Sequence, residues 1–504
     1  MAQKHSTPIR GLMATGRSPL FQGRFGRLFR SLPPATFGKN EDDILENLRT
    51  LGDKMSATFD PPTDGKDPEE SGIPALYTYL GQFIDHDLTF DPASSLQMQD
   101  DPDALTDFRT PAFDLDNIYG RGPDDQPYMY DTDEKSFLLG TPLTGNNFAS
   151  TDLPRNSTTP ARALIGDPRN DENTIVSQLQ GLFHRFHNRM VKENSALPFE
   201  QIQKLVRFHY QYVVLNDFLK QIIQVDVLEA LKVNGKYDQK KLKFFHWKNG
   251  PFMPVEFSVA CYRLGHSMIR PGYRLNDGNL LPIFSTPDSI KAGFKDDLTG
   301  FRKVVSDRAI DWGRFIDIDK RSDADDKNRL QFAYRIDTSV VNPLQNLPAV
   351  VAANPSSLAQ RNLERGWRLG LPSGQRVAQA MGITPLTDEQ IQIGKGVDKQ
   401  DPGDPPIVSI ATIAEPIFKN NCPLWTYILA EAMLHQANVK IPVQENLRTT
   451  TPQLGAVGGR IVAEVFLGLM FGDNHSMLSL EPTWQPKDKP NYALKDFVNY
   501  ALGK

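Results

Sequence analysis

Cysteine is nearly absent from this chain: Cys261 and Cys422 are the only two. That excludes a disulfide framework, and it excludes thiolate-rich metal and iron–sulfur sites. The scarcity fits a reducing compartment, or an exported protein that does without disulfides. Uninterrupted apolar runs of membrane-spanning length are also lacking, so no transmembrane segment is expected. The opening Met-Ala-Gln-Lys-His-Ser-Thr-Pro has no apolar stretch of the secretory kind. The cytoplasm is therefore the default expectation, with non-classical export as the alternative. Positive excess is missing too. A formal net charge of -5 argues against nucleic acid as the main partner, because phosphate binding needs surplus cations. There is no internal repeat and no low-complexity tract.

What is present describes an ordinary globular protein, 39% hydrophobic and 23% charged, able to bury a large core. Its 504 residues exceed the usual length of one domain, at about 150 residues each, but no linker interrupts the middle. The expected organisation is an extended, surface-dressing arm over residues 1–40, with Arg10, Arg17, Arg24, Arg27 and Arg30, then a single domain over 41–504. Strand-like alternation is rare, and the fold class reads as mainly α. Apolar spacing predicts helices at 41–58, 71–88 with Ser71 as N-cap, 174–192 and 199–220. Others are predicted at 222–232, 254–269, 297–305, 357–368, 374–381, 387–395, 423–436 and 455–471. Residues 95–160, rich in Asp, Pro, Gly and Asn, should be irregular and organised by a function or a bound ion.

Within the second helix stands Gly81-Gln82-Phe83-Ile84-Asp85-His86-Asp87-Leu88. Offsets of three and four put Gln82, Asp85 and His86 on one face. Asp87 turns about 100° away and serves a different neighbour. One wall thus carries a base, a carboxylate and an amide, and buried charges of this kind require partners. The segment resembles the distal signature of the animal-type haem peroxidases, the peroxidase–cyclooxygenase superfamily. The resemblance implies that His86 takes a proton from hydrogen peroxide, a task suited to an imidazole near neutral pH. It also implies an ester from Asp85 to haem, calcium ligation by Asp87, and a pocket lined by Gln82 where small anions bind.

Three later segments are similar to the same family in the same order. Gly166-Asp167-Pro168-Arg169-Asn170-Asp171-Glu172 implies a distal Arg169 that stabilises the departing hydroxide, and a second haem ester at Glu172. Tyr262-Arg263-Leu264-Gly265-His266 implies His266 as the iron ligand, with Arg263 beside a propionate. Arg361-Asn362-Leu363-Glu364-Arg365-Gly366-Trp367 implies Asn362 as the partner of the other imidazole nitrogen. Thr110-Pro111-Ala112-Phe113-Asp114-Leu115-Asp116 resembles the calcium loop. Its even positions Thr110, Ala112, Asp114 and Asp116 would share a side in an extended chain and offer oxygen to a hard cation. Taken alone, Arg169 could be a surface ion pair and the acidic loop a set of Asx turns. The matches span roughly residues 71–372.

Departures from the family sharpen the expectation. Asn173, where myeloperoxidase has methionine, cannot make a sulfonium link, so at most two esters to haem b are expected. Arg263 stands where cyclooxygenases carry their radical tyrosine, one turn before the proximal histidine, and Tyr262 should face elsewhere. The reading is a bacterial-type haem peroxidase with calcium. It would use hydrogen peroxide to oxidise halide or thiocyanate by two electrons, or phenolic donors one electron at a time. A haem-dependent fatty-acid dioxygenase is the alternative, and a haem-free binding module is a third reading. His184 and His187 carry no zincin-type Glu and read as structural. His5, His209, His246, His435 and His475 join no constellation.

Overall fold

The computed structural model describes residues 25–89, 111–144, 150–248, 250–319, 321, 327–349, 351–352, 354–397, 403–440, 448–487, 489 and 491–504. Among these the chain is mostly helical, and its sheets are all two-stranded. No described helix is long and apolar enough to cross a membrane. Both cysteines are free and buried. One large hydrophobic core runs from Phe29 to Ala501 and takes in every long helix.

The strongest periodic segments form as the spacing predicts. Helices occupy Glu41–Lys54, Thr174–Glu193, Phe199–Val213, Leu358–Arg368, Gly374–Ala380, Leu424–Leu434 and Gly458–Gly472. The helix Thr174–Glu193 starts cleanly because Asn173 caps it, its side chain accepting from Ile175 N. Phe183 on this helix stacks on Phe83, ring centroids 4.3 Å apart. That contact seats the His86 helix on the core.

Several expected helices are not there. The His86 helix begins at Leu76, not at Ser71. Residues Glu70–Pro74 are a strand paired antiparallel with Phe332–Tyr334. Pro74 explains this, because the residue before proline is pushed out of the α region. The expected helix 254–269 divides into a wide π turn, Glu256–Ala260, and a tight 3₁₀ segment, Cys261–His266. Residues 297–305 form no helix: Thr299 bridges to Asn173, Gly300 N donates to Glu172 O at 2.9 Å, and Phe301 bends the chain at φ 55°. Residues 387–395 contribute only the short strand Gln392–Ile393, and 222–232 only the helix Val225–Glu229.

Residues 25–40 of the expected arm lie against the body. Phe25–Gly26 pairs with Met253–Pro254, and Phe29 and Phe37 are buried. The buried Glu256 carboxylate accepts from Leu28 N and Phe29 N, each at 3.1 Å. Arg27 donates to the carbonyls of Leu369 and Gly370. These arginines are therefore not all solvated: Arg27 is a clamp. Arg10, Arg17 and Arg24 lie outside the described residues.

Candidate active site

The His86 helix packs against the turn Pro168–Asp171 and against the 3₁₀ segment Cys261–His266. His266 and Arg263 are half-buried. Gln82, Asp85 and Glu172 are likewise only half-buried. The two histidine-bearing elements touch: the Tyr262 hydroxyl donates to Gly81 O at 3.2 Å, and the Asp85 carboxylate raises the affinity of Arg263 for its proton.

On the His86 side, the Gln82 amide donates to Glu172 Oε1 at 2.6 Å. The same oxygen lies 3.4 Å from His86 Nε2. His86 itself is buried, with Nδ1 2.7 Å from Asn170 Oδ1. Asn170 was not singled out by the motif reading, and only its distance from His86 reveals it. Arg169 is held differently from the expectation of a guanidinium simply facing peroxide. Its Nη2 donates to Asp167 and to the carbonyls of His86 and Thr89. The cation therefore neutralises the buried Asp167 and sits at the carbonyl end of the His86 helix, a favourable place for positive charge.

On the opposite side, the 3₁₀ segment eclipses residues three apart, so Arg263 stands one turn before His266. Burial, with Arg263 beside it, pushes the His266 imidazole down to about 3; it is neutral under ordinary conditions, as an iron ligand must be. The Asn362 side-chain amide lies 2.8 Å from His266 Nδ1. As placed, the amide nitrogen faces the ring and the oxygen accepts from Arg263 Nη1 at 3.5 Å; turned over, the amide would take the Nδ1 proton and leave Nε2 its lone pair. Arg263 Nε is buried without a hydrogen-bond partner. An anionic group beside it would satisfy that donor. A histidine with one free nitrogen and a buried cation with one donor to spare fit a haem and its propionate. The Glu172 carboxylate meets Gln82, which shares a helix face with Asp85. Tyr262 stacks on Phe257, ring centroids 4.8 Å apart, and its hydroxyl reaches the His86 helix.

A second cluster lies behind the His86 helix. Asp87, Asp114 and Asp116 are buried, and each brings an oxygen to within 4.8 Å of the others. Burial, then the charges of Asp116 and Asp87, push the Asp114 carboxyl well up. Asp114 Oδ2 has no hydrogen-bond partner, and Tyr210 donates to Asp87 Oδ2 at 3.0 Å. Three buried carboxylates at such range repel one another unless a cation or protons intervene. An all-oxygen set suits a hard divalent ion. The alternation argument for this loop fails, however. Leu115 takes a left-handed conformation, φ 62°, and Asp116 opens the helix Asp116–Tyr119. The carboxylates converge through a bend, not along a strand, and a non-glycine residue there costs about 1–2 kcal/mol. Ala112 is buried in the same loop; Thr110 lies outside the described residues.

His184 and His187 have structural partners. Gln180 contacts His184 Nε2 at 2.8 Å, and His187 lies between the Tyr119 hydroxyl and Lys135 O. Burial lowers both imidazoles, to about 3 and about 4.

The animal haem peroxidase family model matches residues 97–295, a span holding Arg169, Glu172 and His266. A comparison with the curated proteins gives no match. Among solved structures, peroxidase A from Dictyostelium discoideum superposes with a TM-score of 0.61 at 14% identity, over 95% of this chain and 93% of that one. The fatty acid alpha-dioxygenase of Oryza sativa gives 0.54 at 15%, over 93% and 81%. That of Arabidopsis thaliana gives 0.55 at 14%, over 95% and 77%. At such identities these likenesses are of fold, and the fold is that of the haem peroxidases. The family match adds a likeness, over that span alone, to a family named for its haem.

Proposed function

We propose that this protein is a calcium-containing haem peroxidase that reduces hydrogen peroxide and oxidises small anions or phenols. One observation carries the reading: His86 and His266 stand on two elements packed against each other, each with its Nδ1 facing an asparagine side chain. His266 Nε2 would hold the iron, Arg263 a propionate, and Asp85 and Glu172 ester links to the macrocycle. Bound there, haem supplies the two electrons that reduce peroxide and takes them back from the donor.

The chain's own residues would do the rest. His86 accepts a peroxide proton at Nε2 and delivers it to the oxygen that leaves as water, a general acid–base step. Arg169, anchored at the end of the same helix, adds positive potential toward the departing oxygen. Gln82 offers its amide to a small anion once Glu172 is committed to an ester. Asp87, Asp114 and Asp116 would hold calcium, with Ala112 and Thr110 completing the set. That ion ties the loop to the helix and fixes His86.

A second reading is favoured by the fold itself, since three of the similar structures are fatty acid alpha-dioxygenases, one of them a variant recorded with palmitic acid. Arg263, standing one turn before His266, weighs against it. Two assays on the haem-loaded protein separate them: peroxide-dependent oxidation of bromide, thiocyanate and guaiacol, and oxygen uptake with palmitic acid. The peroxidase reading requires turnover in the first that His86→Ala removes. Oxygen uptake without peroxidase turnover would replace it with the dioxygenase.

A further inference from the structure

Asn170 is wholly buried, and no motif assigns it a task. Its Oδ1 lies 2.7 Å from His86 Nδ1, and its Nδ2 donates to Gln180 Oε1 at 2.7 Å. Gln180 Nε2 donates in turn to His184 Nε2 at 2.8 Å. Gln180 and His184 are also buried, and they stand four apart on one face of the helix Thr174–Glu193. The His184 ring stacks on Phe137 at 4.4 Å and 12°, which fixes the far end of the row.

The donors in this row all run one way. An amide nitrogen facing His184 Nε2 requires a lone pair there. An amide oxygen facing His86 Nδ1 requires a proton there. A neutral imidazole with its proton on Nδ1 has its lone pair on Nε2, the nitrogen that faces Glu172. Reversing the row would turn over both amides together and place an N–H toward Glu172. The turn that carries Asn170 resists displacement. The Asp167 side chain accepts from Arg169 N at 2.8 Å, and Asp171 forms two hydrogen bonds with Arg155, at 2.6 and 2.7 Å.

We propose that Asn170, backed by Gln180 and His184, is the positioning residue that holds His86 as the Nδ1–H tautomer, its Nε2 bare toward the bound peroxide. This rests on the acid–base role given to His86 above. A neutral amide fixes the ring without trapping it as imidazolium, so the proton taken from peroxide can be handed on. The sequence conceals the row because its members come from separate segments, and only Gln180 and His184 keep a helical spacing.

Two measurements on the haem-loaded protein test it. The first is the ¹⁵N spectrum of the histidine-labelled ferrous carbon monoxide form, which is diamagnetic, with the His86 signals identified by their loss in His86→Ala. A protonated Nδ1 and a bare Nε2 at alkaline pH are expected; a protonated Nε2 there overturns the proposal. The second is the rate of cyanide binding to the ferric form, because hydrogen cyanide must surrender its proton to Nε2. Asn170→Leu should slow it by about 10- to 100-fold, the usual effect of losing such a partner. A wild-type rate in Asn170→Leu overturns the positioning role. A wild-type rate in His86→Ala overturns instead the reading of His86 as the base. If Asn170→Leu does not fold, the ¹⁵N spectrum decides alone.

Discussion

His86 and His266 share a side-chain type and are separated by their surroundings. His266 is pushed down to about 3 by burial beside Arg263, which suits a ligand. His86 Nε2 lies 3.4 Å from Glu172 Oε1, which also accepts from Gln82 on the His86 helix; such polar company suits a group that exchanges a proton. Replacing His86 by alanine should lower the rate of reaction with peroxide by about 100- to 10,000-fold, the range of a lost acid–base group. Stopped-flow absorbance measures it, and an unchanged rate would remove His86 from the chemistry. Asp85 and Glu172 make a separate prediction. Haem should resist acid-acetone extraction from the wild type and extract freely from the Asp85→Ala, Glu172→Ala double variant. Free extraction from the wild type would dismiss the esters and leave the peroxidase reading intact.

Two loops press on the elements that carry these side chains. A Cβ at Gly300 would lie 1.9 Å from Asp171 O and 2.7 Å from the backbone of Glu172 and Asn173. Neither strand nor turn can yield there, so Gly300→Ala should destabilise the fold by about 1–3 kcal/mol, as overpacking does. It should also slow peroxide reduction by displacing Asn170 and Glu172; denaturant melts and kinetics on the same variant test both. The acidic loop acts on the His86 helix through Asp87. Chelating calcium, or substituting Asp114→Asn, should lower the melting temperature, and calcium should restore only the wild type. A melting curve indifferent to chelator would exclude the ion. At this scale the sequence was informative unevenly. Helices with an apolar stripe were legible, and so was the shared face of Gln82, Asp85 and His86. The π and 3₁₀ division before His266, the bend at Leu115 and the strand at Glu70–Pro74 were not. Each depends on a tertiary partner or a backbone conformation that side-chain periodicity does not encode.

For the whole molecule, buried acids set the response to pH. Burial pushes Glu431 and Asp337 up to about 7 and Glu69 up to about 8, the last despite Lys395 beside it. The folded chain thus keeps protons that the unfolded chain releases. Their contribution to stability is complete below the ordinary carboxyl range and is lost as pH rises from about 4.5 through about 8. In calcium-saturated buffer the melting temperature should therefore fall between pH 5.5 and 8.5. Glu431→Gln should flatten that slope, although it weakens the cap on Val457 N and Gly458 N. A rise in stability over this interval would contradict the assignment. The central claim is that haem binds between the two histidines, and it is tested most directly by one optical measurement. Wild-type protein and His266→Ala, produced with the same haem supply, are compared before and after one equivalent of hydrogen peroxide. The account predicts a Soret band in the wild type that shifts with peroxide, and its loss or collapse in His266→Ala. A wild-type chain without a Soret band, or a variant with an unaltered one, would contradict it.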